Sequence, residues 1–182
     1  EITVTASIGI SVYPTDSLDA DALVQNGGTA MYQSKEAGRD TYRFFTAEMN
    51  ARAIEKLDQE NALRRALDLN EFVLYYQPKV ELSMGRITGV EALIRWRRPG
   101  HGLIAPLEFI SVLEQTGLIS EVGAWVIESA CKQISKWRRS GIGEIPVSVN
   151  VSGRQFSQGT LNQDIIRATR ENDVHPELLE FE

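Results

Sequence analysis

Apolar and polar positions change their period several times along the chain, and each change marks an element. Residues 2–13 (ITVTASIGISVY) alternate β-branched with small residues and stop at Pro14-Thr15-Asp16, which predicts a strand and a turn. Residues 19–25 predict a short helix that Asn26-Gly27-Gly28 ends. Thr29 then caps a second helix through Met31, Tyr32 and Lys35, closed by Gly38. A short aromatic strand is predicted over 41–45. From Thr46 to Asn70 no Gly or Pro interrupts, and Ala53 and Leu57, then Leu63 and Leu67, recur four apart with charges on the other faces. That pattern predicts one long connecting helix, dividing the chain into two unlike parts.

The second part alternates between the two periods. Strands are predicted over 72–79 (FVLYYQPK), 87–96 (ITGVEALIRW), 145–151 (IPVSVNV) and 178–182. Helices are predicted over 106–114, 119–139 and 161–172; the second carries Val122, Trp125, Val126, Ala130 and Ile134 on one side. Strands that alternate with helices define an α/β chain with a mainly parallel sheet or barrel. The tight turn at Ser83-Met84-Gly85 makes the first pair of strands antiparallel.

Composition narrows the function classes. Among 182 residues, 19 Lys and Arg against 25 Asp and Glu leave a net charge of −6, which argues against a general nucleic-acid binder. A single cysteine, Cys131, excludes an internal disulfide and a paired-cysteine metal site. No apolar run approaches the ~20 residues needed to cross a bilayer, so no membrane contact is expected from this segment. The chain opens on Glu1 and closes on Glu182 inside a strand-like run, so both ends are expected to be cut.

Several polar residues occupy strand positions that should be apolar: Gln77, Glu91, Arg95, Asn150, Glu180 and Glu182. A buried polar side chain needs a partner or a ligand. At the C-terminal end of barrel strands such residues converge on substrate. Glu91, Asn150 and Glu182 offer hard oxygen donors suited to Mg²⁺ or Mn²⁺. The competing reading is that these residues face solvent from half-exposed strands, and alternation alone does not choose between the two.

The run YYQPKVELSMGRITGVEALIRWRRP resembles the start of an EAL domain, the bacterial cyclic di-GMP phosphodiesterase module, and contains Glu91-Ala92-Leu93. The blocks GLIAPLEFISVLEQTGLI, AWVIESACKQISKW, VSVNVSGRQF and the closing LEFE extend that resemblance over residues 60–182. Residues 1–46, through TASIGISVYP and AMYQSKEAGRDTYRFF, resemble the C-terminal end of a GGDEF (diguanylate cyclase) domain. The resemblance implies a slice of a tandem GGDEF–EAL protein. Its parts would be residues 1–46 as the end of an α+β GGDEF domain, 47–70 as a connecting helix, and 71–182 as the first half of a (β/α)₈ TIM-like barrel.

The resemblance also implies roles. Glu91, Asn150 and Glu182 match ligands of a two-metal Mg²⁺ or Mn²⁺ site, and Gln77 and Arg95 match contacts to the cyclic dinucleotide. Lys35 and Arg39 match triphosphate-facing positions of the GGDEF family. The family's later aspartate pair, lysine and catalytic glutamate are absent, so no catalytic base is expected within this chain, and the chain alone is expected to be inactive. The parent is expected to hydrolyse cyclic di-GMP to the linear dinucleotide. The alternative is a degenerate, non-catalytic EAL domain acting as nucleotide receptor or protein scaffold. Expected partners are cyclic di-GMP and a second copy through the EAL domain, with no nucleic acid. The expected location is the bacterial cytoplasm, the parent being anchored, if at all, through an upstream region.

Overall fold

The structure, a computed structural model, describes residues 4–182. The chain forms two compact units, residues 1–59 and 60–182. The first unit is built on two parallel strands, β1 (Ser7–Ile10) and β2 (Thr41–Phe44), joined through helix α1 (Ala20–Glu36). The strand expected over 2–13 falls partly on residues 1–3, which lie outside the described residues. Elsewhere it shrinks to Ser7–Ile10, because β2 offers only four residues for it to pair with.

Helix α1 corrects the expectation of a break at Asn26-Gly27-Gly28. It runs unbroken, and its N-cap is Asp19, whose Oδ2 accepts from the Ala22 amide at 2.8 Å. The break signal failed because tertiary contact holds the helix at this point: β1 crosses α1 at Gly9, where a Cβ would lie 2.0 Å from the Gly27 carbonyl oxygen. Ser34 Oγ donates to the Ile8 carbonyl at 2.9 Å and Ser11 Oγ to the Leu23 carbonyl at 2.7 Å, tying the strand along the helix. Lys35 stands in the last turn of α1. Arg39 follows in a turn with φ 64°, its amide donating to the Ser34 carbonyl at 3.2 Å.

Helix α2 spans Ala47–Ala66, and the boundary between the units falls inside it. It stops short of the expected Asn70. Asn70 takes a left-handed φ of 54°, and Glu71 N donates to the Ala66 carbonyl at 2.9 Å.

The second unit contains β3 (Phe72–Glu81), β4 (Arg86–Arg98), β5 (Gly102–Ile104), α3 (Pro106–Thr116), α4 (Ile119–Arg139), β6 (Val147–Val149), α5 (Gly153–Gln158), α6 (Leu161–Glu171) and β7 (Leu179–Phe181). The sheet order is β3-β4-β6-β7, with β5 paired to β4. Strands β3 and β4 are antiparallel, as expected; β4–β6 and β6–β7 are parallel. Strand β5 and helix α5, absent from the sequence reading, are three and six residues long, too short for either period to register.

One face of the sheet carries the core. Val90, Ala92 and Trp96 of β4, Val147 and Val149 of β6, and Leu179 of β7 are buried with Phe109 and Leu113 of α3 and with Ile127, Ala130 and Ile134 of α4. Trp96 stacks edge-on to Phe109 at 6.0 Å, and Phe72 lies 5.9 Å from both Phe109 and Trp125. The Trp96 indole N–H donates to Glu71 Oε2 at 3.0 Å, so the buried ring keeps its polar atom satisfied. All three tryptophans are packing residues, since Trp137 in turn meets Tyr76 edge-on at 5.1 Å. Gly117, with φ 81°, ends α3 in a left-handed cap and lets α4 begin two residues later.

Two outcomes follow. A Cβ at Gly28 meets nothing within 4 Å, so Gly28→Ala is expected to stabilise the chain by about 0.5–1 kcal/mol, whereas Gly9→Ala should strip β1 from α1. Urea unfolding of the two variants reads both signs. Cys131 is fully buried, and burial, helped by Glu128, pushes its thiol up to about 11. It should resist Ellman's reagent at pH 8 in the folded chain and react fully once the chain is unfolded.

Candidate functional site on the polar face of the sheet

Alternation sends the neighbours of the core residues to the opposite face. In the ladder, Gln77 pairs with Glu91, Glu91 with Ser148, and Ser148 with Glu180. Four strands thus contribute one polar row. Two residues further along the parallel strands stand Asn150 and Glu182, and two residues back on β3 stands Lys79, opposite Gly89. Gly89 adds no side chain to this face, which leaves the lysine a path across β4.

Side-chain contacts join these strands. Asn150 Nδ2 donates to Glu91 Oε1 at 2.7 Å. Lys79 Nζ donates to Glu182 Oε1 at 2.6 Å, to Glu180 Oε2 at 3.2 Å and to Ser148 Oγ. Ser148 Oγ in turn donates to Glu180 Oε2 at 2.5 Å. The Glu182 backbone N–H donates to the Val149 carbonyl at 3.1 Å and its carbonyl accepts from Val151 at 2.8 Å, which sets Glu182 beside Asn150.

The electrostatics follow from these contacts. The Lys79 hydrogen bond holds the Glu182 carboxyl below its ordinary pKa, and the Ser148 hydroxyl, followed by Lys79, does the same for Glu180. Lys79 is raised in return, chiefly by Glu182. All three groups are substantially exposed, so solvent screens these pairs.

Of the residues singled out in the sequence, Glu91 and Asn150 are in direct contact, while Glu182 is held by Lys79. Gln77 faces Glu91 across the ladder. Arg95 lies with its guanidinium carbon 5.9 Å from the Tyr75 ring and donates to the Ile94 carbonyl at 2.8 Å. Lys35 and Arg39 belong to the first unit. Lys79 and Ser148 were missed, although each sits two residues from a residue that was found, on the same strand face. Among the described residues, no three His, Cys, Asp or Glu side chains gather closely enough to hold a metal.

The loop that carries Asn150 is anchored from below. Gln155, buried in α5, accepts from the Ser152 amide at 3.1 Å through its Oε1. Its side chain fills the notch at Gly123 of α4, where a Cβ would lie 1.9 Å from Gln155 Nε2. Above this anchor opens a largely apolar cavity of about 400 Å³, lined by Leu93, Ile94, Pro106, Ile110, Val126 and Asn150 among others. It lies where β4 and β6 stop pairing after Ala92 and Val149.

Among known proteins, the EAL domain family matches residues 60–182. The chain belongs to the EAL domain family. It is 41% identical over 182 residues to the bifunctional diguanylate cyclase/cyclic di-GMP phosphodiesterase MucR of Pseudomonas aeruginosa, covering all of this chain and 27% of that protein. It is 42% identical over 161 residues to the cyclic di-GMP phosphodiesterase PdeR of Escherichia coli, covering 88% and 24%. The solved PaMucR phosphodiesterase in complex with c-di-GMP aligns with a TM-score of 0.65 at 39% identity, over 68% of this chain and 50% of that one. The FimX EAL domain of Xanthomonas citri in complex with c-diGMP aligns at 0.64 and 25% identity, over 72% and 51%. The chain therefore spans about a quarter of these curated relatives and about half of these solved chains.

The notch yields a prediction for the EAL unit. Gly123→Ala is expected to destabilise it by about 1–3 kcal/mol through overpacking against Gln155. Adding Gln155→Ala should recover part of the loss, a coupling that a double-mutant cycle in urea measures.

Proposed function

We propose that the polar face forms part of a metal-dependent phosphodiesterase site that hydrolyses cyclic di-GMP to the linear dinucleotide in bacterial cyclic di-GMP signalling. The observation that carries this reading is the Glu91–Asn150 hydrogen bond at the end of a row of oxygen donors drawn from four strands. The chain's similarity to the cyclic di-GMP phosphodiesterases MucR and PdeR supports it.

In this reading Glu91, Asn150 and Glu182 hold Mg²⁺ or Mn²⁺. Two carboxylates and one amide oxygen suit a hard cation. Asn150 uses its Nδ2 on Glu91, which fixes the amide orientation and leaves Oδ1 as the donor for the ion. A divalent ion held there would neutralise phosphodiester charge and lower the pKa of water, so that its deprotonated form would be available near neutral pH. Gln77 and Arg95 contact the dinucleotide, Arg95 through a guanidinium suited to a phosphate oxygen.

Residues 1–46 are read as the end of a GGDEF domain, 47–70 as a connecting helix and 71–182 as half of a TIM-like barrel. Lys35 and Arg39 are then vestigial phosphate contacts. The strand–helix–strand order of the first unit supports that division, as does the match of all 182 residues of this chain to 27% of a bifunctional diguanylate cyclase/phosphodiesterase. A second copy through the EAL domain and a cytoplasmic location belong to the same reading. Among the described residues no helix is long and apolar enough to cross a membrane. The second reading, a receptor without turnover, is favoured by one observation: Lys79 already pairs with Glu182.

The deciding assay measures cyclic di-GMP hydrolysis with Mg²⁺ or Mn²⁺ in a complete EAL domain that carries these residues. Glu91→Gln should lower turnover at least ~100-fold while leaving thermal unfolding nearly unchanged. Unaltered turnover would refute the assignment, and wild-type binding without hydrolysis would select the receptor.

A further inference from the structure

Lys79 places an ammonium among the carboxylates of the polar row, and the proposed role of Glu182 does not explain it. Its ammonium is shared among Glu180, Glu182 and Ser148, three partners on two strands, neither of which neighbours its own. The β3–β4 ladder shifts register between Lys79 and Val80, and Thr88 Oγ1 donates to the Lys79 carbonyl at 3.3 Å, so a bulge fixes the backbone where the lysine leaves it.

We propose that Lys79 is a built-in counter-cation of this site: it holds Glu182 in place of a divalent ion and sets the affinity with which that ion binds. The inference rests on the reading of Glu182 as a metal ligand. Without Lys79, Glu180 and Glu182 would stand on one strand face as an uncompensated pair of like charges. With it, the incoming ion must take a carboxylate oxygen from an ammonium 2.6 Å away. Two cations that share one carboxylate repel, by an amount that solvent tempers at these exposed groups, so the lysine swings aside or the ion binds more weakly. Glu180 is its alternative partner at 3.2 Å, and is therefore the residue that receives the ammonium when Glu182 is given up.

The experiment is a calorimetric Mn²⁺ titration of a complete EAL domain that carries these residues, wild type against Lys79→Met, Lys79→Arg, Glu180→Gln and Glu182→Gln, with thermal unfolding followed in parallel. Lys79→Met should tighten Mn²⁺ at least about fivefold, as expected when a like charge is removed from contact distance. Lys79→Arg should stay near wild type. Glu180→Gln, which removes the lysine's other partner, should weaken binding, and it tests the idea even where the Lys79→Met chain folds poorly. If Glu182→Gln abolishes binding while Lys79→Met and Glu180→Gln match wild type, the counter-cation role is overturned and the metal reading stands. If Glu182→Gln binds as well as wild type, or if no variant binds Mn²⁺, the metal reading falls and takes this inference with it.

Discussion

The arrangement depends on the register between β4 and β6. Three residue pairs, Val90–Val147, Glu91–Ser148 and Ala92–Val149, decide which side chains meet the helices and which meet the open face. A slip of β4 by one residue against β6 would drive Glu91 into the helix layer and turn Val90 and Ala92 outward. The buried side enforces the choice. Val147 is fully buried and Val149 nearly so, while Trp96, further along β4, is locked among aromatic rings with its indole N–H already paired. Packing on one face is what gives the other face its chemistry.

Much of the second unit was legible because its apolar runs are long. The helix over 119–139 and the antiparallel pair of strands carry enough turns and alternations for period to be read from single residues. The two Glu of the closing strand and the Gln of β3 stood out because a strand should not hold them. What stayed illegible has physical causes. Helix α5 begins at a glycine and lasts six residues, less than two turns. The Asn26-Gly27-Gly28 signal is a true helix breaker in isolation, but contact with β1 at Gly9 overrides local preference. Lys79 reads as a solvated strand end until its partners, 69 and 103 residues further along the chain, are brought to it.

The site also illustrates how a sheet face carries charge without a deep interior. Neither Glu180 nor Glu182 is enclosed, so no large desolvation penalty attends their ionisation. The hydroxyl of Ser148, itself buried, relays between lysine and carboxylate and adds direction where Coulomb attraction alone would be screened. The row is thus organised by hydrogen bonds first and by charge second.

The notch at Gly123 bears on how this chain and its relatives vary. Gln155 occupies space that any side chain at position 123 would claim, so the two positions are not free to drift separately. A lineage that keeps a long amide at the first turn of α5 must keep glycine in the second turn of α4, and one that shortens the amide releases that glycine. Across aligned relatives the two columns should therefore change together, a covariation between residues 32 positions apart in sequence that marks, from below, the loop holding Asn150.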